Sequence, residues 1–351
     1  MVMADAPERQ RSFLRAFLSS ALGTALSRGF GAARDIVTAS VLGAGSVSDA
    51  FYVAWTIPNV FRRFVADEGL TGALIPALSQ AEREEGEDAM RRLSAAVLGA
   101  LLLLNVLFIS AGILGADGLV LLFAWSWRDD PEQYALVVGM TRWLFPFLGM
   151  VSLVSFFEGL LNYRGHFFTP KLAPALVSLG IVIGALTVGS TIAEPVWALV
   201  GGALVGGVAH VLIHAPALAR HWGRVGLSFR FGSPRLRAVL RELGKVVAIG
   251  VFAQINLLVL RQLATSLPSG SVSHYWNANR IVDLSQGVVA VAIGSALLPN
   301  VAAAVAEKDW EVFRTDLTRA LRLALFLLLP VAVTLLSFSI PITAVVFRHG
   351  A

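Results

Sequence analysis

Ser27-Arg28-Gly29-Phe30-Gly31-Ala32-Ala33-Arg34-Asp35 sets two arginines and an aspartate inside a first apolar segment, Phe13 to Leu42, that otherwise reads as a membrane helix. An arginine near a bilayer centre costs roughly 3 kcal/mol on insertion scales and persists only where it faces protein or a wet cavity. The segment therefore lines something polar. Gly29 and Gly31 are expected to allow close approach of neighbouring helices and a bend between the arginines. On a straight helix of about 3.6 residues per turn, a six-residue step would point Arg28 and Arg34 well apart.

The rest of the chain agrees with a membrane setting. Hydrophobic residues are 56% of the 351 and mean hydropathy is +0.72, well above a soluble domain's share. This is an all-α, polytopic membrane protein. There is no cysteine, hence no disulfide framework or thiolate chemistry. The stretch from Met1 to Arg11 is short, mixed in charge and lacks a small-residue cleavage site, so no removable signal peptide is expected. Nine candidate spans of about 20 or more apolar residues run near Phe13–Leu42, Asp49–Leu78, Leu93–Phe123, Ala135–Leu160, Phe168–Val188, Val196–Leu218, Leu240–Leu267, Val272–Val305 and Leu317–Phe347.

The connections alternate in charge. Nineteen basic residues fall on one side: Arg9, Arg11, Arg15; Arg83, Arg91, Arg92; Arg164, Lys171; Arg220, Arg224, Arg230, Arg235, Arg237, Arg241, Lys245; Lys308, Arg314, Arg319 and Arg322. The other side holds Arg128 and Arg348. By the positive-inside rule the N-terminus is expected in the cytoplasm and the C-terminus outside. This distribution, rather than nucleic-acid binding, accounts for a sequence pI of 10.1. The basic stretch 220–245, with Gly232-Ser233-Pro234, reads as a cytoplasmic linker on the anionic leaflet. It separates a six-helix N-terminal lobe (1–219) from a three-helix segment (246–351).

An internal repeat spans that linker. Gly45-Ser46-Val47-Ser48 before the second helix is echoed by Gly270-Ser271-Val272-Ser273 before the eighth, and Ala73-Leu74-Ile75-Pro76 by Ala296-Leu297-Leu298-Pro299. Six intervening helices preserve orientation, so the copies are expected as parallel repeats about an axis along the membrane normal. The second copy stops after three helices, so a fragment or shortened form of a longer transporter is expected.

Polar residues inside the spans mark candidate sites. Asn59, Arg62 and Arg63 follow Pro58 in the second helix; the arginines either snorkel to the cytoplasmic interface, pair with Asp67 and Glu68, or reach a cavity. Adjacent positions lie about 100° apart, so at most one of the two points squarely inward. In the eighth helix Asn277, Arg280 and Asp283 recur every third residue, with Gln286 beyond. They form one polar face that reads as cavity lining, the alternative being a private pair of Arg280 with Asp283. Asp49 opens the second helix, where an N-cap is the common role. Arg142 and Arg261 are expected near the outer interface. His210 and His214 have a metal-like spacing but no evident third ligand, so a packing or interfacial role is expected and no metal. No nucleophile triad, phosphate loop or carboxylate pair stands out, so neither an enzyme nor a cofactor is expected.

These residues carry a resemblance. The 27–35 stretch, Leu42-Gly43-Ala44-Gly45 with Ser48-Asp49-Ala50-Phe51, Ile57-Pro58-Asn59-Val60-Phe61-Arg62-Arg63, Gly270-Ser271-Val272-Ser273 and Asn279-Arg280 resemble the MurJ/MviN lipid II flippases. That family belongs to the multidrug/oligosaccharidyl-lipid/polysaccharide exporter superfamily and has fourteen helices in two six-helix lobes plus two. The resemblance implies that Arg28, Arg34, Arg62 and Arg280 are cavity arginines receiving the diphosphate, with Asp35, Asp49, Asn59, Asn277 and Asp283 as polar or acidic partners. It implies lipid II or a similar undecaprenyl-diphosphate substrate, alternating access and the bacterial inner membrane, with membrane lipids and peptidoglycan-synthesis proteins as partners. The chain departs from the family at Asp67-Glu68-Gly69, Asn279 and Asp283, and helices ten to fourteen are absent. An exporter of another polyprenyl-linked sugar and a non-transporting envelope scaffold are the alternatives.

Overall fold

A computed structural model describes residues 6–65, 68–283, 304 and 309–347; side chains of 6–21, 63–65, 68, 249 and 251–253 are outside that description. Gln286, Asp67 and the 296–299 echo lie outside the described residues. Among the described residues the regular structure is helical: α1 (Ala6–Leu42), α2 (Ser46–Val65), α3 (Glu68–Glu85), α4 (Glu87–Leu114), α5 (Ala116–Phe123), a 3₁₀ turn (Trp125–Asp129), α6 (Pro131–Tyr163), α7 (Phe168–Leu172), α8 (Ala175–Thr187), α9 (Pro195–Leu212), α10 (His214–His221), α11 (Pro234–Thr265), α12 (271–283), α13 (Trp310–Ser337) and α14 (Ser339–Phe347).

Five stretches are long and apolar enough to cross a membrane: Glu87–Leu114, Pro131–Tyr163, Phe168–Thr187, Pro195–His221 and Trp310–Ser337. α1, α2, α3 and α11 stand outside these five stretches. These helices nevertheless pack against the spanning ones, α1 on α7 and α8, α2 on α6, and α11 on α2 and α3.

α6 is the centre of the bundle, in contact with α2, α3, α4, α9 and α10. Its start is fixed locally: Asp130 caps it by accepting from the Gln133 N–H at 3.1 Å, with Pro131 in the first turn. Phe145, Leu148, Phe156 and Leu160 on it are fully buried. Lipid is as apolar as leucine, so what holds these helices together is close packing rather than withdrawal from water.

Two expectations are corrected. α1 is helical without interruption across Gly29 and Gly31, and a Cβ at either glycine would meet nothing within 4 Å, so neither supports a close helix approach. That role falls to α8 and α9, where a Cβ on Gly180 would lie 2.3 Å from the Gly202 carbonyl oxygen. The basic stretch 220–245 is not a free linker. Pro234 opens α11 within it, and Trp222, Leu236 and Val239 are buried in a cluster with Leu78, Met90 and Leu160. Ion pairs brace the same end: Arg235 to Glu84 (2.7 Å) and Glu85 (2.8 Å), and Arg164 to Glu87 (3.0 Å), with Tyr163 donating to Glu82. Bonds from Gln80 and then Arg235 hold the exposed Glu84 below the usual carboxylate range.

By contacts the chain forms two units, Met1–Ser273 and His274–Ala351. α11 belongs to the first because it packs along α2, α3 and α5.

Candidate functional site

Within the first unit the helices line an open cavity of about 1040 Å³. α1 supplies Thr24, Ser27, Arg28 and Arg34 to its wall, α2 supplies Trp55, Asn59 and Arg62, and α6 supplies Ser155, Glu158 and Asn162. Arg28 and Arg34 reach it from a continuous helix. Thr24, Ser27, Arg28 and Arg34 fan over about 120° of α1 at 100° per residue, and the long guanidinium arms close that arc.

Each arginine is held differently. Arg62 donates from Nε to Asn59 Oδ1 at 3.1 Å, and Asn59 in turn donates to the Trp55 carbonyl at 2.7 Å. The three- and four-residue steps of one helix thus aim Arg62 at the cavity. Arg34 gives Nε (3.0 Å) and Nη2 (2.8 Å) to one oxygen of buried Asp35, which stands behind the wall and not on it. Arg28 is in the lining and more exposed.

The sequence reading missed Glu158 and Lys171, both on the cavity wall, and gave His210 only a packing or interfacial role. A signal was present: Val151, Ser155, Glu158 and Asn162 follow one another at four, three and four residues, a helix face in an otherwise apolar span. His210 is buried in the wall, and its backbone carbonyl lies 2.8 Å from His214 Nδ1. No group of three or more metal-ligating side chains occurs among the described residues.

Asp49 is not in the cavity. Its carboxylate accepts from the Gly270 N–H (2.7 Å), the Ser273 N–H (2.8 Å) and the Ser273 hydroxyl (2.5 Å), all buried. It therefore caps not its own helix but the start of α12, where orphan N–H groups and the helix dipole favour an anion. Gly270 has φ +93°, a left-handed turn that brings those N–H groups round to Asp49. Arg142 pairs with Asp117 at 2.6 Å on the exposed surface, whereas Arg261, expected near an interface, is fully buried.

The second unit carries Asn277, Arg280 and Asp283. Arg280 lies over the Trp276 ring, 4.8 Å from its centroid, and 3.9 Å from Asp283; Asn277 is buried.

Solved structures of membrane transporters share this helical fold. One titled "Lipid II flippase MurJ, inward closed conformation" matches with a TM-score of 0.77 at 21% identity, over 94% of this chain and 68% of that one. An inward-facing multidrug resistance MATE family transporter of the MOP superfamily matches with a TM-score of 0.71 at 17% identity, over 92% and 72%. The chain belongs to the lipid II flippase MurJ family, whose model matches residues 38–351. It is 33% identical to the lipid II flippase MurJ of Burkholderia cenocepacia, over 97% of this chain and 66% of that protein. It is 31% identical to a probable lipid II flippase MurJ of Rhizobium tropici, over 97% and 64%. The chain thus spans slightly less than two thirds of the length of these relatives.

Proposed function

We propose that this protein moves lipid II, an undecaprenyl-diphosphate-linked disaccharide-peptide, from the cytoplasmic to the outer leaflet of the bacterial inner membrane. It acts as a transporter by alternating access, not as an enzyme. The observation that carries this reading is the convergence of Arg28, Arg34 and Arg62 on one cavity of about 1040 Å³. Guanidinium groups give paired, charge-assisted bonds to phosphate oxygens. Four basic side chains against one carboxylate, counting Lys171 and Glu158, favour an anionic headgroup and repel cationic drugs.

The Asp49 cap of α12 is the latch that closes the outer side during the inward-open phase, and Arg280 is a further phosphate-binding residue of the second unit. The chain crosses the membrane nine times with its N-terminus in the cytoplasm. Helices one to six form one lobe (1–219), and helices seven to nine the start of a parallel-repeat second lobe (246–351). Peptidoglycan-synthesis proteins receive the product. The gene encoding this chain, expressed in a strain depleted of its own flippase, is expected to restore growth. Failure to do so at normal membrane levels would sink the proposal.

A further inference from the structure

Between Trp222 and Leu236, both buried, the chain leaves the helical core as an irregular segment, 223–230, and returns through a turn into α11. It is pinned along the side of α4. The Ser228 N–H donates to the Ala95 carbonyl at 3.0 Å, and only a glycine at 99 leaves room, since a Cβ there would lie 2.0 Å from the Ser228 carbonyl oxygen. In sequence, Val225, Leu227, Phe229 and Phe231 alternate with Arg224, Gly226, Ser228 and Arg230.

Val225 packs on the core, but Leu227, Phe229 and Phe231 are 53%, 60% and 39% exposed, the two rings meeting edge to face at 6.4 Å. Arg224, Arg230, Arg237 and Arg241 are exposed around them, and no acidic residue occurs from Arg220 to Arg241. The depth follows from α4. Its charged turn ends at Arg92 and its apolar run starts at Leu93, so Ala95 and Gly99 stand about 3 and 9 Å further along the helix at 1.5 Å per residue. Amphipathic elements that lie in a membrane interface bury their apolar face about 5–10 Å past the headgroups.

We infer that residues 224–231 form an interfacial anchor: Leu227, Phe229 and Phe231 insert among acyl chains while Arg224 and Arg230 bind the phosphates of anionic phospholipids. A soluble protein partner is disfavoured because the exposed apolar residues lie level with the first apolar turns of a spanning helix. The inference rests on α4 crossing the bilayer and not on the flippase reading, and it assigns the lipids to the cytoplasmic leaflet only through the proposed orientation.

The chain has no cysteine, so a bimane fluorophore placed on Phe229→Cys, and separately on Phe231→Cys, reports these positions alone. In nanodiscs, dibrominated-chain lipids are expected to quench both probes, phosphatidylglycerol at several-fold lower mole fraction than phosphatidylcholine. Replacing Arg224 and Arg230 with Gln is expected to erase that preference, at about fivefold per arginine. Absence of quenching by either lipid at both positions, including full exposure to a soluble quencher or capture by a soluble protein, overturns the inference. Equal quenching by the two lipids with both arginines present overturns the anionic-phosphate assignment. Each readout is independent of transport, so failure of the flippase reading leaves this test intact.

Discussion

Ser48 and Ser273 touch: their hydroxyl oxygens are 2.8 Å apart in a buried contact. They are the fourth residues of the two Gly-Ser-Val-Ser motifs, 225 positions apart in the chain. Asp49, next to Ser48, adds three bonds to the same turn.

Replacing Ser48 and Ser273 together with Cys is therefore expected to give a disulfide on mild oxidation in a chain that otherwise has no thiols. Protection of both thiols from a bulky maleimide, reversed by dithiothreitol, is the readout. Free reaction of both after oxidation would show that the contact does not persist in the membrane. If the contact is the outer latch, the oxidised form does not support growth.

Asp49→Ala strands the N–H groups of Gly270 and Ser273 away from water, at about 1–3 kcal/mol for each unsatisfied group. A clear fall in melting temperature in detergent is expected, with Asp49→Asn intermediate because its amide oxygen still accepts. An unchanged melting curve for Asp49→Ala would refute the capping role.

Arg28→Ala and Arg62→Ala are expected to reach the membrane at normal levels and fail to support growth, with Lys partly active because it keeps charge but loses the planar fork. Arg34→Ala differs. It removes the guanidinium that donates twice to buried Asp35, so protein levels should drop as well. Adding Asp35→Asn should restore the level but not the growth, and recovery of growth in that double variant would make the Arg34–Asp35 pair purely structural. In the second unit, Arg280→Ala with Asp283→Ala should likewise remain inactive.

Glu158→Gln removes the one carboxylate from the lining described above and raises the cavity's positive potential. Affinity for a diphosphate-bearing lipid headgroup is expected to rise about tenfold, since one charge several ångströms away is worth more than 1 kcal/mol at an effective dielectric near 20. Weaker binding, measured by calorimetry or native mass spectrometry, would give Glu158 a direct attractive contact instead.

Single cysteines at Ser46, Ser190 and Ser269, all exposed, should react with an impermeant thiol reagent in intact spheroplasts. Labelling only after lysis would reverse the proposed orientation.

The sequence by itself determined the membrane class, because hydropathy and the sidedness of charge depend on residue type alone. It also singled out Arg28 and Arg34, since a guanidinium inside an apolar span is too costly to be there without a polar environment, whereas Arg62 was preferred to Arg63 only through the family resemblance. The Gly-Ser-Val-Ser repeat was visible as two copies. Only the tertiary structure decided that the copies touch, that Asp49 caps α12 instead of α2, and that Gly29 and Gly31 face open space while Gly180 and Gly202 carry the close packing. It alone placed Glu158, Lys171 and His210 on the cavity wall and laid the 223–230 segment along α4. Those facts depend on which helix lies beside which, and in a bilayer that choice is made by shape and hydrogen bonding between faces that are equally apolar in sequence.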